Sequence, residues 1–168
     1  MIVALDASVL IFFFEKDADA PIDPKTGNPL DRCYDRVNHL IAELSANSAK
    51  IIIPTPALAE VLVMAGEAGS EWLNTIGKSR HFVVADFDVR AAIEHATQMS
   101  STPKPLSRGK QKVKFDYQII AIARVAGAEA IYSFDSDIAR DAGPGLKVRG
   151  GFDLPLPPEA AQKRLFED

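Results

Sequence analysis

Short apolar runs rich in strand-forming residues recur along the chain, spaced so that a helix fits between neighbours: IVAL at 2–5, KIII at 50–53, HFVVA at 81–85, AIYS at 130–133 and LKV at 146–148. No other feature constrains the fold as much. Each run has the length of a strand and little polar alternation, as expected of strands covered on both faces. The stretches between them read as helices. Val37, Leu40, Ile41 and Leu44 follow helical spacing, as do Leu58, Val61, Leu62 and Ala65, and Val113 to Ala126 is the strongest helical pattern. A strand that returns parallel to its neighbour needs a crossover, usually a helix. The alternation therefore predicts a three-layer α/β/α sandwich around a central, mostly parallel sheet of about five strands.

A length of 168 residues suits one domain with a core of its own. Residues 1–150 are expected to form it, and 151–168 to be a Pro-rich tail of the same unit that ends at most in a short helix. At 15–30 the composition shifts: KDADAPIDPKTGNP carries three prolines, a Gly-Asn pair and several charges, which suits a loop insertion and fits poorly with any regular element. After the second strand, closed by Pro54, Thr55 is expected to cap a helix with Pro56 at its first position. The apolar run at 8–14 is shorter than the ~20 residues that cross a bilayer, and Asp6 with no early basic segment argues against a signal peptide. Cys33 is the only cysteine, so the chain builds neither an internal disulfide nor a cysteine-based zinc site, and a reducing cytoplasm is its expected location. The formal charge of −4 gives no overall attraction to nucleic acid, so any such contact requires a local basic patch.

Acidic residues interrupt several of these apolar contexts. Asp6 ends the first run, and Asp135 and Asp137 follow the fourth in YSFDSD. In open α/β sheets ligands bind outside the carboxyl ends of the strands, so these acids are expected on one edge of the sheet. Glu60 lies in the helix PALAEVLVMA with Ala57 and Met64 below and above it, and Asp116 lies in FDYQIIAIA above Ile120 and Ala123. Both acids are expected at or near the buried side of their helices. Taken singly, each has a plain structural explanation: Asp6 and Asp135 as strand-end turn residues, Glu60 as a boundary acid facing water, Asp116 as a first-turn acid in the helix dipole. Taken together they pose an electrostatic problem. A buried carboxylate without a partner costs several kcal/mol, and like charges raise each other's pKa values. A divalent cation removes that cost, and Mg²⁺ or Mn²⁺ takes carboxylate oxygens, water and substrate phosphate.

Four segments, VALDASVLI, PTPALAEVL, FDYQIIAIA and YSFDSDIA, together resemble the acidic motifs of a PIN domain, most closely the VapC-like toxin ribonucleases. The resemblance spans roughly Ile2 to Val148. It implies metal-dependent hydrolysis of RNA phosphodiester bonds, with Mg²⁺ or Mn²⁺ as cofactor, an RNA substrate, a small antitoxin protein as partner and a homodimer. The implied catalytic residues are Asp6, Glu60, Asp116 and Asp135, and the implied metal site is Asp6, Asp116, Asp135 and Asp137, with Asp137 as an accessory acid around the central ligands. Glu60 is implied either to bind metal, directly or through water, or to take a proton from the attacking water. Ser8 and Ser133 are implied to orient carboxylates or water. Ser133 stands where the family usually has Thr, which keeps the hydroxyl, and the 15–30 stretch is longer than a compact member needs.

Between His95 and Phe115 there is no acid, while Lys104, Arg108, Lys110, Lys112 and Lys114 run directly into Asp116. Arg108, Lys110, Lys112 and Lys114 would hold the RNA backbone over the site, unless this is only a solvated loop. Two other classes compete. One is a catalytically weak PIN-fold module that binds RNA or protein. The other is a phosphoaspartate enzyme, disfavoured because the phosphatases place a second Asp two residues after the first and this chain has Ser8 there. The three histidines show no metal-ligand spacing, Trp72 and the Phe12 to Phe14 run suit core or interface packing, Cys33 reads as inert, and no nucleotide-binding glycine motif is present.

Overall fold

The strands β1 (Ile2–Leu5), β2 (Lys50–Pro54), β3 (Phe82–Ala85), β4 (Ala130–Tyr132) and β5 (Lys147–Arg149) form one parallel sheet in the order β3-β2-β1-β4-β5. The structure, a computed structural model, describes residues 1–23, 26–101 and 110–158, without the side chains of 110–113 and 152. The helices are α1 (Ala7–Phe14), α2 (Cys33–Ala46), α3 (Thr55–Ala65), α4 (Gly69–Lys78), α5 (Val89–Ser101), α6 (Lys110–Val125) and α7 (Ser136–Asp141). They flank the sheet, giving the expected α/β/α sandwich.

The central strands explain their own composition. Val3, Ala4 and Leu5 of β1, Ile51 to Ile53 of β2 and Ile131 of β4 are all buried, as is the Ile119, Ile120 and Ile122 run of α6. Parallel strands covered on both faces read as continuous apolar runs for this reason. The phenylalanine run of α1 is packed, as expected: Phe14 stacks flat on Trp72 at 4.6 Å, and Phe13 meets Phe82 edge-on at 5.3 Å.

Two local expectations are corrected. Pro54 pairs with Ala85 as the last residue of β2, and its extended backbone (φ −60°, ψ 135°) makes it the N-cap of α3. Thr55 is thus already helical, Pro56 falls after the first helical position, and no side chain caps this end. The 15–30 insertion also has more order than its composition suggests. Ile22 and Pro29 form an antiparallel bridge, Asp23 N–H donates to Asn28 O and Leu30 N–H to Pro21 O (2.8 Å each), and Gly27 turns the chain at φ +70°. Such a φ is cheap only for glycine. In the tail, Gly151–Asp153 is a 3-10 turn, Leu154 is buried, and Arg36 Nη1 donates to its carbonyl at 3.2 Å. The expected terminal helix, like Lys104 and Arg108, lies outside the described residues. Among the described residues no helix is long and apolar enough to cross a membrane.

Candidate functional site

The strand order places the site. From β1 the chain moves outward to β2 and then β3; it then returns to lay β4 on the other side of β1 and continues to β5. The direction of winding reverses between β1 and β4, and a crevice opens outside their carboxyl ends at such a point. Leu5 pairs with Tyr132, so Asp6 and Ser133 leave the sheet side by side, with Asp6 N–H donating to Tyr132 O at 3.0 Å. Two segments far apart in sequence therefore meet at the one place in this topology where a ligand fits naturally.

Asp6 is buried (5% exposed) and sits at the N-cap of α1. Its backbone carbonyl accepts from Val9 and Leu10 and so starts the helix, but its carboxylate makes no capping bond. Instead Oδ2 accepts from Ser8 Oγ at 2.7 Å and from Ser133 Oγ at 2.8 Å. The serines are locked in turn, since Ser8 Oγ accepts Phe134 N–H and Ser133 Oγ accepts Asp135 N–H, both at 3.0 Å. A backbone N–H can only donate and an ionised carboxylate can only accept, so each hydroxyl proton must point at Asp6. This is why hydroxyls stand at 8 and 133. Among the described residues no Lys, Arg or His pairs with Asp6, and Oδ1 accepts no hydrogen bond.

Asp135 does what Asp6 does not. It is the N-cap of α7, and its Oδ1 accepts Asp137 N–H at 2.8 Å. Asp137 accepts from Arg140 Nη2 at 2.8 Å, an ion pair within α7. Asp116 of α6 is buried (6% exposed), as expected. The expectation for Glu60 is corrected: the packed face of α3 is Ala57, Leu58 and Val61, and Glu60 is exposed together with Val63 and Met64. Its apolar neighbours misled because Met64 is itself exposed. Of the basic residues, Lys114 is exposed, the side chains of Lys110 and Lys112 are not described, and Arg108 lies outside the described residues.

The donor set suits a hard cation. Asp6 offers an oxygen with no hydrogen bond while its other oxygen is held by two hydroxyls, the outer-shell arrangement that fixes a ligating carboxylate. Among the described residues no three His, Cys, Asp or Glu side chains form a ready-made metal cage. Mg²⁺ does not need one, since it keeps several waters and binds through one or two carboxylates plus substrate phosphate. Asp6 could serve as one such ligand, and Ser133 Oγ ties its carboxylate to the backbone N–H of Asp135, the next acid along.

Two residues escaped the sequence reading. Phe134 ties β4 to Ser8 through its backbone and packs edge-on against Phe12 at 5.9 Å, standing between two clefts. Arg124 fastens α6, which carries Asp116, to Glu94 of α5 at 3.3 Å and to the carbonyl of Pro144 at 3.1 Å. Its signal is a lone cation in IIAIARVA, the counterpart of the lone acids in the other apolar segments. The clefts, about 430 Å³ on the Ser8 side and about 210 Å³ on the Ser133 side, are both lined in part by the 15–30 insertion. Cys33 is buried, and that burial pushes its thiol up from its ordinary value against the opposing pull of Arg36, while Sγ donates to Leu30 O.

No protein-family model and no curated protein sequence matches the chain. Solved structures do. A chain of VapBC2 from Rickettsia felis, solved bound to a DNA fragment from its promoter, superposes with a TM-score of 0.63 at 16% identity, over 89% of this chain and 98% of that one. VapC20 from Mycobacterium tuberculosis, a Sarcin-Ricin loop cleaving toxin, gives 0.58 at 12% identity over 86% and 98%. A chain of DNA-bound VapBC from Salmonella typhimurium gives 0.54 at 19% identity over 90% and 98%.

Proposed function

With the fold of VapC-like PIN domains as premise, we propose that this protein is a metal-dependent endoribonuclease acting as the toxin of a toxin–antitoxin pair. The observation that carries the reading is Asp6: a buried carboxylate at the winding reversal, held by two hydroxyls and excused from the capping its position invites. Mg²⁺ or Mn²⁺ bound there would lower the pKa of a water and neutralise charge developing on the phosphate. Asp6 and Asp135 would hold it, with Asp116 supplied from α6. Ser8 and Ser133 keep the Asp6 carboxylate from turning away. Glu60, exposed on α3, suits taking a proton from the attacking water better than ligating the metal. Asp137, paired with Arg140, steadies the helix that Asp135 caps. Lys114, with Arg108, Lys110 and Lys112 in the same segment, would hold the RNA backbone. The neighbours solved as VapBC complexes on DNA support a protein partner.

A second reading has its own support. Glu60 points outward and the described residues form no complete cage, as a catalytically weak binding module would have it. Cleavage of end-labelled single-stranded RNA with Mg²⁺ or Mn²⁺, with and without EDTA, decides between them. The enzyme reading expects cleavage that EDTA stops and that Asp6→Asn lowers at least about 100-fold, the scale of losing one electrostatic group from a preorganised site. Absence of any cleavage that needs both the metal and Asp6 overturns the enzyme reading and leaves the binding module.

A further inference from the structure

The smaller cleft is not needed to hold a metal, and its construction is specific. Its walls are Ile22 and Leu30 of the insertion, Val148 of β5 and the Phe134 ring. Gly151 also lines it, and its backbone lies so close to the Leu30 and Phe134 side chains that an added Cβ would collide with Leu30 Cδ2. Its mouth is shared with the candidate centre, because Ser133 and Asp135 line both. The volume of about 210 Å³ falls below the range of about 300–1,000 Å³ that takes a drug-sized ligand, so it accommodates one flat ring system.

We propose that this cleft receives one unpaired base of the RNA strand next to the bond that is cut, and favours a base bearing an exocyclic amino group over uracil. The proposal rests on the reading of the Asp6 centre as a ribonuclease. Sequence-specific recognition of RNA takes splayed-out bases, stacks them on aromatic rings and hydrogen-bonds their edges. Phe134 offers the ring, fixed by its backbone bond to Ser8 and its contact with Phe12. The lining carries acceptors: Asp23 and Asp135 line the cleft, and although Asp23 Oδ2 accepts from Thr26 Oγ1 and Asp135 Oδ1 from Asp137 N–H, a carboxylate accepts more than one hydrogen bond. Acceptors of this kind answer the exocyclic amino donors of adenine, cytosine and guanine, whereas uracil carries no amino group and donates only through its ring N3–H. The insertion thus adds a selective wall to a centre that by itself reads only phosphate.

The test separates the cleft from the cleavage. The ¹⁵N-labelled protein, free of metal, is titrated with adenosine, cytidine and uridine, which carry no phosphate and need no cation. The expected result is perturbation of the Ile22, Phe134, Ala139 and Gly150 amides, with adenosine or cytidine binding about threefold or more tighter than uridine. Ala139 is exposed on α7 and lines the cleft, so Ala139→Trp fills it from the solvent side and should abolish the response. Ile22→Ala, at a position 61% exposed, removes a wall without touching the core and should weaken the response several-fold if the tryptophan variant does not fold. In parallel, oligoribonucleotides differing at one position should show a base preference in the wild type that collapses in the variants. Silence of all three nucleosides, or uridine binding as well as the others, overturns the cleft assignment even where RNA is cleaved, and would return the cleft to a protein side chain. A nucleoside response without RNA cleavage keeps the cleft and overturns the ribonuclease instead.

Discussion

Asp6 and Asp135 stand at matching places, each just past a central strand and each at the N-cap of a helix, yet only Asp135 caps. Local sequence does not separate them, because Asp is favoured at both positions for the same backbone reason. The partner that decides the matter, Ser133, lies 127 residues from Asp6. The sequence therefore showed which acids to suspect and left open which of them were merely structural. Ser133→Ala tests the arrangement. It deletes one donor to a buried carboxylate and one acceptor for Asp135 N–H, so chemical denaturation should show a loss of about 1–3 kcal/mol. RNA cleavage should fall as well. Ser133→Thr returns the hydroxyl and should recover both. Recovery of stability without recovery of cleavage would mean that the hydroxyl serves the fold alone.

The helices that present the acids were legible to different degrees. α6 announced its buried face through Ile119, Ile120 and Ala123, and Asp116 falls on it. α3 did not, because an apolar residue one turn from Glu60 says nothing about burial when the helix also exposes Val63 at 83%. The helix start was missed by one residue for a related reason: Pro54 is acceptable both at a strand end and at an N-cap, and only its pairing with Ala85 shows that it is both. α7 provides the cleanest test at this scale, since its cap and its charge can be separated. Asp135→Asn keeps a side-chain oxygen for Asp137 N–H and should leave stability within about 0.5 kcal/mol, whereas Asp135→Ala should cost about 0.5–2 kcal/mol. Both should lose metal-dependent cleavage. Full cleavage by Asp135→Asn would show that this carboxylate acts only as a cap.

For the whole molecule, the repeating strand–helix pattern dictated a parallel sheet, but nothing local dictated that β4 would lie beside β1 and not beyond β3. That choice brings Asp6 and Ser133 together, and it carries an electrostatic consequence. Asp6 is a buried carboxylate with no basic residue on it among the described residues, so the metal-free fold is expected to give up part of its stability there. Asp6→Asn removes that charge while its amide oxygen still accepts from both serines. In metal-free buffer the variant should therefore melt at the same temperature as the wild type or higher. Mn²⁺ at about a hundred times its dissociation constant adds about 2.7 kcal/mol to whichever protein binds it, which in a chain of this size moves Tm by about 5–10 °C. The wild type should gain that shift and Asp6→Asn little of it, so the order of stability reverses on adding metal. Calorimetry with and without EDTA reads both halves. A variant less stable than the wild type in every buffer, with Mn²⁺ moving neither protein, would make Asp6 a structural carboxylate and remove the basis for a metal-dependent centre at the β1–β4 edge.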